Sequence, residues 1–319
     1  MQFTLSEVEA GQRVDVLVAV RLGVGRAWAR RLCAEGRVRL DGRRVEKGAV
    51  GRPGAVLSIE DPIQPITEQN QQVALVEVHV DPWLVVVDKP AGQPSHPLRP
   101  DETATVAQAL EARYPEMAGI GYGPREAGLV HRLDTGTSGL LVAARDAGTF
   151  QRLRALLVAG AIEKHYRALC TVPVAPGVLT GWLDARGPRV KVTTRAQPNT
   201  RPIRLDVLGC VEHAAGRFEV LVSVAHAGRH QVRAQLAAAG APLVGDVQYG
   251  GVAVEGLDHH CLHASRLAFT HPGTGQALAL ASDPPWAAAP IGEPLASDGR
   301  ARRSTGALPG RSAPRPRGG

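Results

Sequence analysis

Cysteine is scarce in this chain: four residues of 319, at Cys33, Cys170, Cys210 and Cys261, with no CxxC pair among them. That counts against a zinc ribbon or a disulfide framework and suits a reducing compartment, so a cytoplasmic protein is expected. No apolar run approaches the length of about eighteen residues that a membrane helix needs, so no span is expected. The first residues, "MQFTLSEVEAGQ", lack the basic start and apolar stretch of a secretory signal. No Walker loop is present. Gly23-Val24-Gly25 follows a helical pattern rather than a strand, which is wrong for a dinucleotide site. No nucleotide cofactor is expected. No internal repeat of about 20 to 50 residues occurs, which excludes solenoids and propellers.

What is present is enough apolar material for a core, at 44% of residues, and an uneven net charge of +7. Residues 1–60 hold eleven Lys/Arg against seven Asp/Glu, and residues 293–319 hold six against two. The body between them is nearly neutral. Basic ends fit a polyanionic partner, because Lys and Arg contacts to phosphate give affinity without sequence preference. They equally fit solvated surface arginine.

The chain divides into three pieces. In the first, "RVDVLVAVRL" places Val14, Leu17, Val18 and Leu22 at helical spacing. "GRAWARRLCAEG" follows as a second helix, with Trp28 and Leu32 toward a core, Arg26 and Arg30 on another face, and Arg31 beside them. "RVRLDGRRV" reads as a hairpin turning at Asp41-Gly42, with Arg43 and Arg44 on its return arm. "GAVLSIE" closes the module as a strand. These arginines form a candidate RNA-binding surface. Residues 63–73 read as a linker, because the stretch 61–73, "DPIQPITEQNQQV", is polar and holds two prolines. The tail, 293–319, is rich in Pro, Gly, Ser and Arg and reads as disordered.

In the body, residues 74–292, strands dominate: "ALVEVHV", "WLVVVDK", "GLLVAA", "HYRALCTV", "RFEVLVSVAH" and "LHASRLAFTHP". Helices are fewer: "TATVAQALEARY", "AGTFQRLRALLVAG" and "GRHQVRAQLAAAG". There is no regular strand-helix alternation, which counts against a doubly wound parallel sheet. The expected class is α+β, with a mixed, mainly antiparallel sheet flanked by helices around a cleft.

"HRLDTGTSGLLV", residues 131–142, poses the chemical question. Asp134-Thr135-Gly136 matches an aspartic protease loop, but that chemistry needs two carboxylates sharing a proton. The triplet occurs once. Asp146-Ala147-Gly148 is the nearest second candidate and lacks the hydroxyl. His131 and Arg132 stand just before the acid, and a neighbouring cation favours a permanently ionised Asp134. A single ionised carboxylate acting as a nucleophile fits better. Thr137 and Ser138 are expected to brace this loop through hydrogen bonds, and Lys89 and His96 to be structural. "HHCLH", residues 259–263, has metal-ligand residue types, but no metal is expected there.

At this point the motifs become specific. His131 to Gly139 resembles the signature of the RluA-type pseudouridine synthases. "DKPAGQPSHP" (88–97), "KHYRAL" (164–169), "GRHQVRAQLAAAGAPLVGDVQYGG" (228–251) and "LHASRLAFTHPGTG" (262–275) resemble further motifs of that family, in the same order. Residues 12 to 60 resemble the alpha-L RNA-binding domain named after a small-subunit ribosomal protein. The resemblance implies an enzyme that breaks the bond between uracil and ribose, turns the base and rejoins it through a ring carbon. Such a reaction has no redox step and requires no cofactor. By resemblance Asp134 is the nucleophile, and Arg233 opposes the desolvation that would neutralise it. Tyr166 stacks on the uracil or takes part in proton transfer, and Arg132 holds the rearranged RNA. Ribosomal RNA is the expected substrate, most of all that of the large subunit, with transfer RNA the alternative. A monomer is expected. A rival of another class is an inert RNA-binding or ribosome-assembly factor. One stretch departs from the family pattern. Where the family reads Thr-Gly-Arg-x-His-Gln-Ile-Arg, this chain has His226-Ala227-Gly228-Arg229-His230-Gln231-Val232-Arg233. Either a residue is missing before His230, or Gly and Arg are replaced by Ala227 and Gly228.

Overall fold

The chain builds two separate sheets. The computed structural model describes residues 1–22, 26–46, 48–60, 73, 75–97, 102–123, 125–214 and 216–288. The expected linker apart from Val73, the expected tail, Gly23 to Gly25 and the side chain of Trp28 lie outside the described residues.

The front residues form β1 (Gln2–Thr4), α1 (Val14–Leu22), α2 (Arg26–Ala34), β2 (Val38–Leu40), β3 (Arg43–Arg44) and β4 (Val56–Ile59). Their four strands pair in the order β1-β4-β2-β3. Asp41 and Gly42 both have positive φ, +50° and +75°, which is what a two-residue hairpin turn demands. Val14, Leu17, Val18 and Leu22 are buried with Leu32, Leu57 and Ile59 in a core of their own.

The body forms β5 (Val76–Val80), β6 (Leu84–Lys89), α3 (Val106–Arg113), β7 (Ser138–Ala144), α4 (Ala147–Val158), β8 (Glu163–Cys170) and β9 (Gly177–Asp184). It continues with β10 (Lys191–Thr193), β11 (Arg201–Ala214), β12 (Arg217–Ser223), α5 (Gln231–Ala238), β13 (Leu262–Thr270), β14 (Ala277–Ala281) and α6 (Pro285–Ala288). Ten strands make one sheet, in the order β10-β9-β11-β12-β8-β13-β7-β6-β5, with β14 beside β13. Every pairing is antiparallel except the short parallel contact of β13 with β7. The expected mixed, mainly antiparallel α+β architecture is the one found. Among the described residues no helix is long and apolar enough to cross a membrane.

The expected strands and helices all form. β1, β9, β10, β11, β14 and α6 are additions. Pro202 and Gly209 in β11 and Gly181 in β9 interrupt the alternation that marks a strand in sequence. In β11 a register shift between Val207 and Gly209 absorbs the irregularity. Asp146 is the N-cap of α4, its side chain accepting from Thr149 N at 2.8 Å, so this second acid serves the helix.

β7 is buried along its whole length because both faces are covered. Leu141 and Ala143 enter one core with Tyr166 and Leu236, while Leu140 and Val142 enter another with Phe150 and Leu153. At its start, Gly139 has φ +110°, and a Cβ there would collide with the Ala264 backbone. Only glycine lets β7 and β13 come this close. That approach sets where the loop before β7 stands. Gly139→Ala is expected to lower the unfolding free energy by about 3 kcal/mol in a urea titration. Gly216→Ala, at a surface turn where a Cβ meets nothing within 4 Å, is the comparison and is expected to cost less.

Candidate active site

The loop from His131 to Thr137 is pinned by its neighbours before any ligand arrives. Ser95 Oγ donates to Leu133 O at 2.8 Å and accepts from Leu133 N at 3.0 Å. Lys89, only 1% exposed, donates to Pro90 O (2.8 Å), Gln93 O (2.7 Å) and Thr135 O (3.1 Å). Burial pulls its ammonium down to about 7, against the attraction of Asp134 and Asp88. Thr137 Oγ1 lies 2.7 Å from His260 Nε2, and Ser138 Oγ lies 2.9 Å from His263 Nδ1. Thr137 and Ser138 are thus bracing residues, and two histidines of "HHCLH" are engaged by them. His96 is driven down to about 4 by burial and by Arg132, so it stays neutral.

One expectation fails. His131 is no cation: burial, aided by Lys164, drives its pKa to about 3, and its Nε2 accepts from Val142 N at 3.3 Å. Arg132, the other expected neighbour, lines the same cavity as Asp134, but the cation in contact with the acid comes from elsewhere.

It comes from α5. His230 caps that helix, Val232 and Leu236 turn into the core, and Arg233 reaches back across the site. Arg233 is 6% exposed and uses every side-chain nitrogen. Nε and Nη2 grip the two oxygens of Asp246 at 2.7 and 2.8 Å, Nη2 also meets Gln248 Oε1 at 3.0 Å, and Nη1 meets Asp134 Oδ2 at 3.2 Å. Its guanidinium lies 4.9 Å from the centre of the Tyr249 ring. Burial works against its charge, but Asp246 and Asp134 more than offset this and hold its pKa above the usual arginine value.

Asp134, Tyr166 and Arg233 line one cavity of about 360 Å³, together with Arg132, His230 and Leu262. Tyr166 comes from the middle of β8. Its hydroxyl makes no hydrogen bond with any described residue. Burial and the Asp134 carboxylate push its pKa well up, so the phenol stays protonated and can donate. Arg132 is exposed at the rim and forms no ion pair with a described residue.

The altered stretch before α5 is held by its own side chains. Gly228 N donates to Gln231 Oε1 at 2.9 Å, and Gln231 N returns to Gly228 O at 3.0 Å. A Cβ at Gly228 would meet the end of the Arg201 side chain, which would have to swing away and give up its contact with Gln231. Asp246, Gln248 and Tyr249 were not singled out from sequence. They come from "GDVQYGG", where glycines bracket an acid and an aromatic.

In the front module, Arg26 and Arg30 do share a surface, but around a buried carboxylate. Asp15 accepts from Arg13 Nε (2.8 Å), Arg30 Nε (3.1 Å) and Arg26 Nη2 (3.5 Å). Burial opposes the ionised form of Asp15, yet these arginines lower its pKa overall. Arg31 pairs with Glu35 at 2.6 Å, and Arg43 and Arg44 are exposed on β3. Elsewhere, His79, Asp81 and His271 stand close enough together for a metal ion. Their protons favour a different arrangement. His271 Nδ1 accepts from Gly273 N and Thr274 N, so Nε2 carries the hydrogen and donates to Asp81 Oδ2 at 2.8 Å.

A family model described as RNA pseudouridylate synthase matches residues 83–238. An uncharacterized RNA pseudouridine synthase of Chloroflexus aurantiacus is 34% identical, over 84% of this chain and 85% of its own length. The ribosomal large subunit pseudouridine synthase D of Pseudomonas aeruginosa is 32% identical, over 74% of this chain and 78% of its own length. The structure titled Human RNA Pseudouridylate Synthase Domain Containing 1 shares the fold with a TM-score of 0.52 at 22% identity, covering 67% of this chain and 85% of that one.

Asp246→Ala strips a buried guanidinium of its two-point partner. It is expected to cost about 3–5 kcal/mol of unfolding free energy. Gln248→Ala, removing one hydrogen bond to Arg233 and a longer, exposed one to Pro188 O, is expected to cost about 1–2 kcal/mol. Urea titration of both variants reads the difference.

Proposed function

The chain belongs to the RNA pseudouridylate synthase family and so isomerises uridine to pseudouridine in RNA; we propose that it acts on large-subunit ribosomal RNA, with Asp134 as the nucleophile. The observation that carries the assignment of Asp134 is its convergence with Tyr166 and Arg233 on a single cavity. In the reaction the bond from ribose C1′ to uracil N1 breaks and a bond from C1′ to C5 forms. The proton leaves C5 and N1 gains one, so nothing is oxidised and no atom is lost. Asp134 attacks as the carboxylate that makes the uracil–ribose bond labile. Arg233 keeps that carboxylate charged and aimed. Tyr166 stacks its ring on the uracil, a contact worth about 1–3 kcal/mol, and donates from its hydroxyl. A base inside a helix cannot reach Asp134, so the uridine must leave the stack at a cost of a few kcal/mol. Arg132 at the rim binds the phosphates of the rearranged strand.

The ribosomal substrate is supported by the relatives named as large-subunit synthases, one of them from Yersinia pestis. It is also supported by the front residues. In our reading residues 1–62 are an alpha-L RNA-binding domain and residues 74–292 the catalytic domain, with residues 63–73 linking them and residues 293–319 a basic tail. Arg13, Arg26 and Arg30 outnumber the acids Asp15 and Glu46 on one surface, and the module also exposes Arg43 and Arg44, while the charge of Arg31 is matched by Glu35. Phosphate is the ligand such a surface suits. The protein works as a monomer in the cytoplasm.

Mapping pseudouridines in total RNA, with the gene deleted and with it restored, tests the substrate. Sites that vanish from large-subunit RNA and return on restoration support it, and sites confined to transfer RNA overturn it. For the nucleophile, Asp134→Asn is expected to bind RNA normally and form no pseudouridine; modification at the wild-type rate means that Asp134 is misassigned. Deleting residues 1–62 is expected to weaken RNA binding and flatten its dependence on salt, and an unchanged slope removes the phosphate-binding role from this module.

A further inference from the structure

The two oxygens of Asp134 have different surroundings. Oδ2 receives Arg233 Nη1 at 3.2 Å and lies 3.8 Å from His230 Nε2. Oδ1 takes no hydrogen bond from any described residue, and it is not among the buried polar atoms left without a partner. One oxygen is therefore approached by two donors, and the other is bare and reachable.

His230 is held so that it can be the second donor. It is the N-cap of α5 with φ +53° and ψ +17°, a left-handed conformation that costs energy for a residue with a Cβ. The Gly228–Gln231 hydrogen bonds fix that turn. Its Nδ1 lies 3.1 Å from Tyr249 Oη, and the same oxygen accepts from Val190 N at 2.9 Å. With the amide donating to it, the phenol has its own hydrogen for Nδ1. A neutral imidazole that accepts at Nδ1 carries its proton on Nε2, the nitrogen that faces Asp134. Burial, together with Arg233 and Arg229, keeps His230 toward the neutral form against the pull of Asp134 and Asp246. Tyr249 is itself immobilised, with the guanidinium groups of Arg233 and Arg189 at 4.9 and 5.1 Å from its ring centre.

We propose that Tyr249 and His230 form a positioning relay in which the Tyr249 hydroxyl fixes the His230 tautomer, so that Nε2–H and Arg233 together hold Asp134 Oδ2 and turn Oδ1 toward the nucleotide. The relay rests on the reading of Asp134 as nucleophile and adds which oxygen attacks and what selects it. A separation of 3.8 Å is longer than a hydrogen bond. Contacts of this kind tighten when substrate closes the site. The Tyr249 hydroxyl acts through His230, and His230 acts through the carboxylate.

Three substitutions separate this role from simple packing. His230→Gln places an N–H near the position of Nε2 and has no tautomers. His230→Asn reaches only the position of Nδ1. Tyr249→Phe keeps the ring and removes the hydroxyl. Each is measured for single-turnover pseudouridine formation on ribosomal RNA, for RNA affinity and for thermal unfolding. His230→Asn and Tyr249→Phe are expected to slow the reaction by about tenfold to a hundredfold, with RNA affinity held within about twofold. His230→Gln is expected to be about tenfold faster than His230→Asn. Equal rates for the Gln and Asn variants overturn the relay, whether both match the wild type or both are slow, because packing alone then explains His230. Asp134→Asn is run beside them. If it keeps the wild-type rate, the reading of Asp134 falls. If it is inactive while the His230 variants match the wild type, the relay alone falls.

Discussion

A buried guanidinium shared by two carboxylates governs this site. Asp246 takes two of the nitrogens of Arg233 and fixes the plane of the group, and the remaining nitrogen points at Asp134. A cation held this way costs several kcal/mol in desolvation, which only close partners offset. The geometry of Asp246 therefore decides where Arg233 aims, and Arg233 decides how Asp134 sits. The sheet supplies the rest. β7 and β13 meet at Gly139, and this sets the height of the acid loop over α5 and over Tyr166 on β8.

The loop around Asp134 is held by an extensive scaffold. Lys89 gathers three carbonyl oxygens beneath it, Ser95 holds the Leu133 peptide on both sides, and His260 and His263 take the hydroxyls that follow. Lys89, Ser95, His260 and His263 do not line the cavity themselves. They spend their polar atoms on the loop's backbone and hydroxyls, leaving Asp134, Tyr166 and Arg132 as the groups with capacity to spare. That division suits a reaction whose partner is a large, charged polymer, because the protein contributes few reacting groups and must hold them still.

Local patterns were readable in the sequence wherever one element carried them. The Asp134 loop announced itself through its own spelling, and the spacing of His230 and Arg233 put both on one side, where Arg233 contacts Asp134 and His230 comes within 3.8 Å of it. The hairpin at Asp41-Gly42 followed from turn chemistry. What could not be read were relations between distant segments. Asp246 and Tyr249 lie on a separate turn, and no periodicity ties them to Arg233. β11 hides behind Pro202 and Gly209, because its register shift is a property of the paired strand. Arg26 and Arg30 looked like free surface charge, but the packing of α2 on α1 brings them to Asp15, eleven and fifteen residues earlier. His131 looked like a cation, but burial, which a sequence does not display, neutralises it.

The structure of the Asp134→Asn protein bound to a ribosomal RNA fragment containing a modified site tests the central claim most directly. The account requires the target uridine everted from its helix, its base against the Tyr166 ring, and the side chain of residue 134 beside the uracil–ribose bond with Arg233 behind it. A uridine still stacked in the RNA, or bound in a different part of the protein, contradicts it.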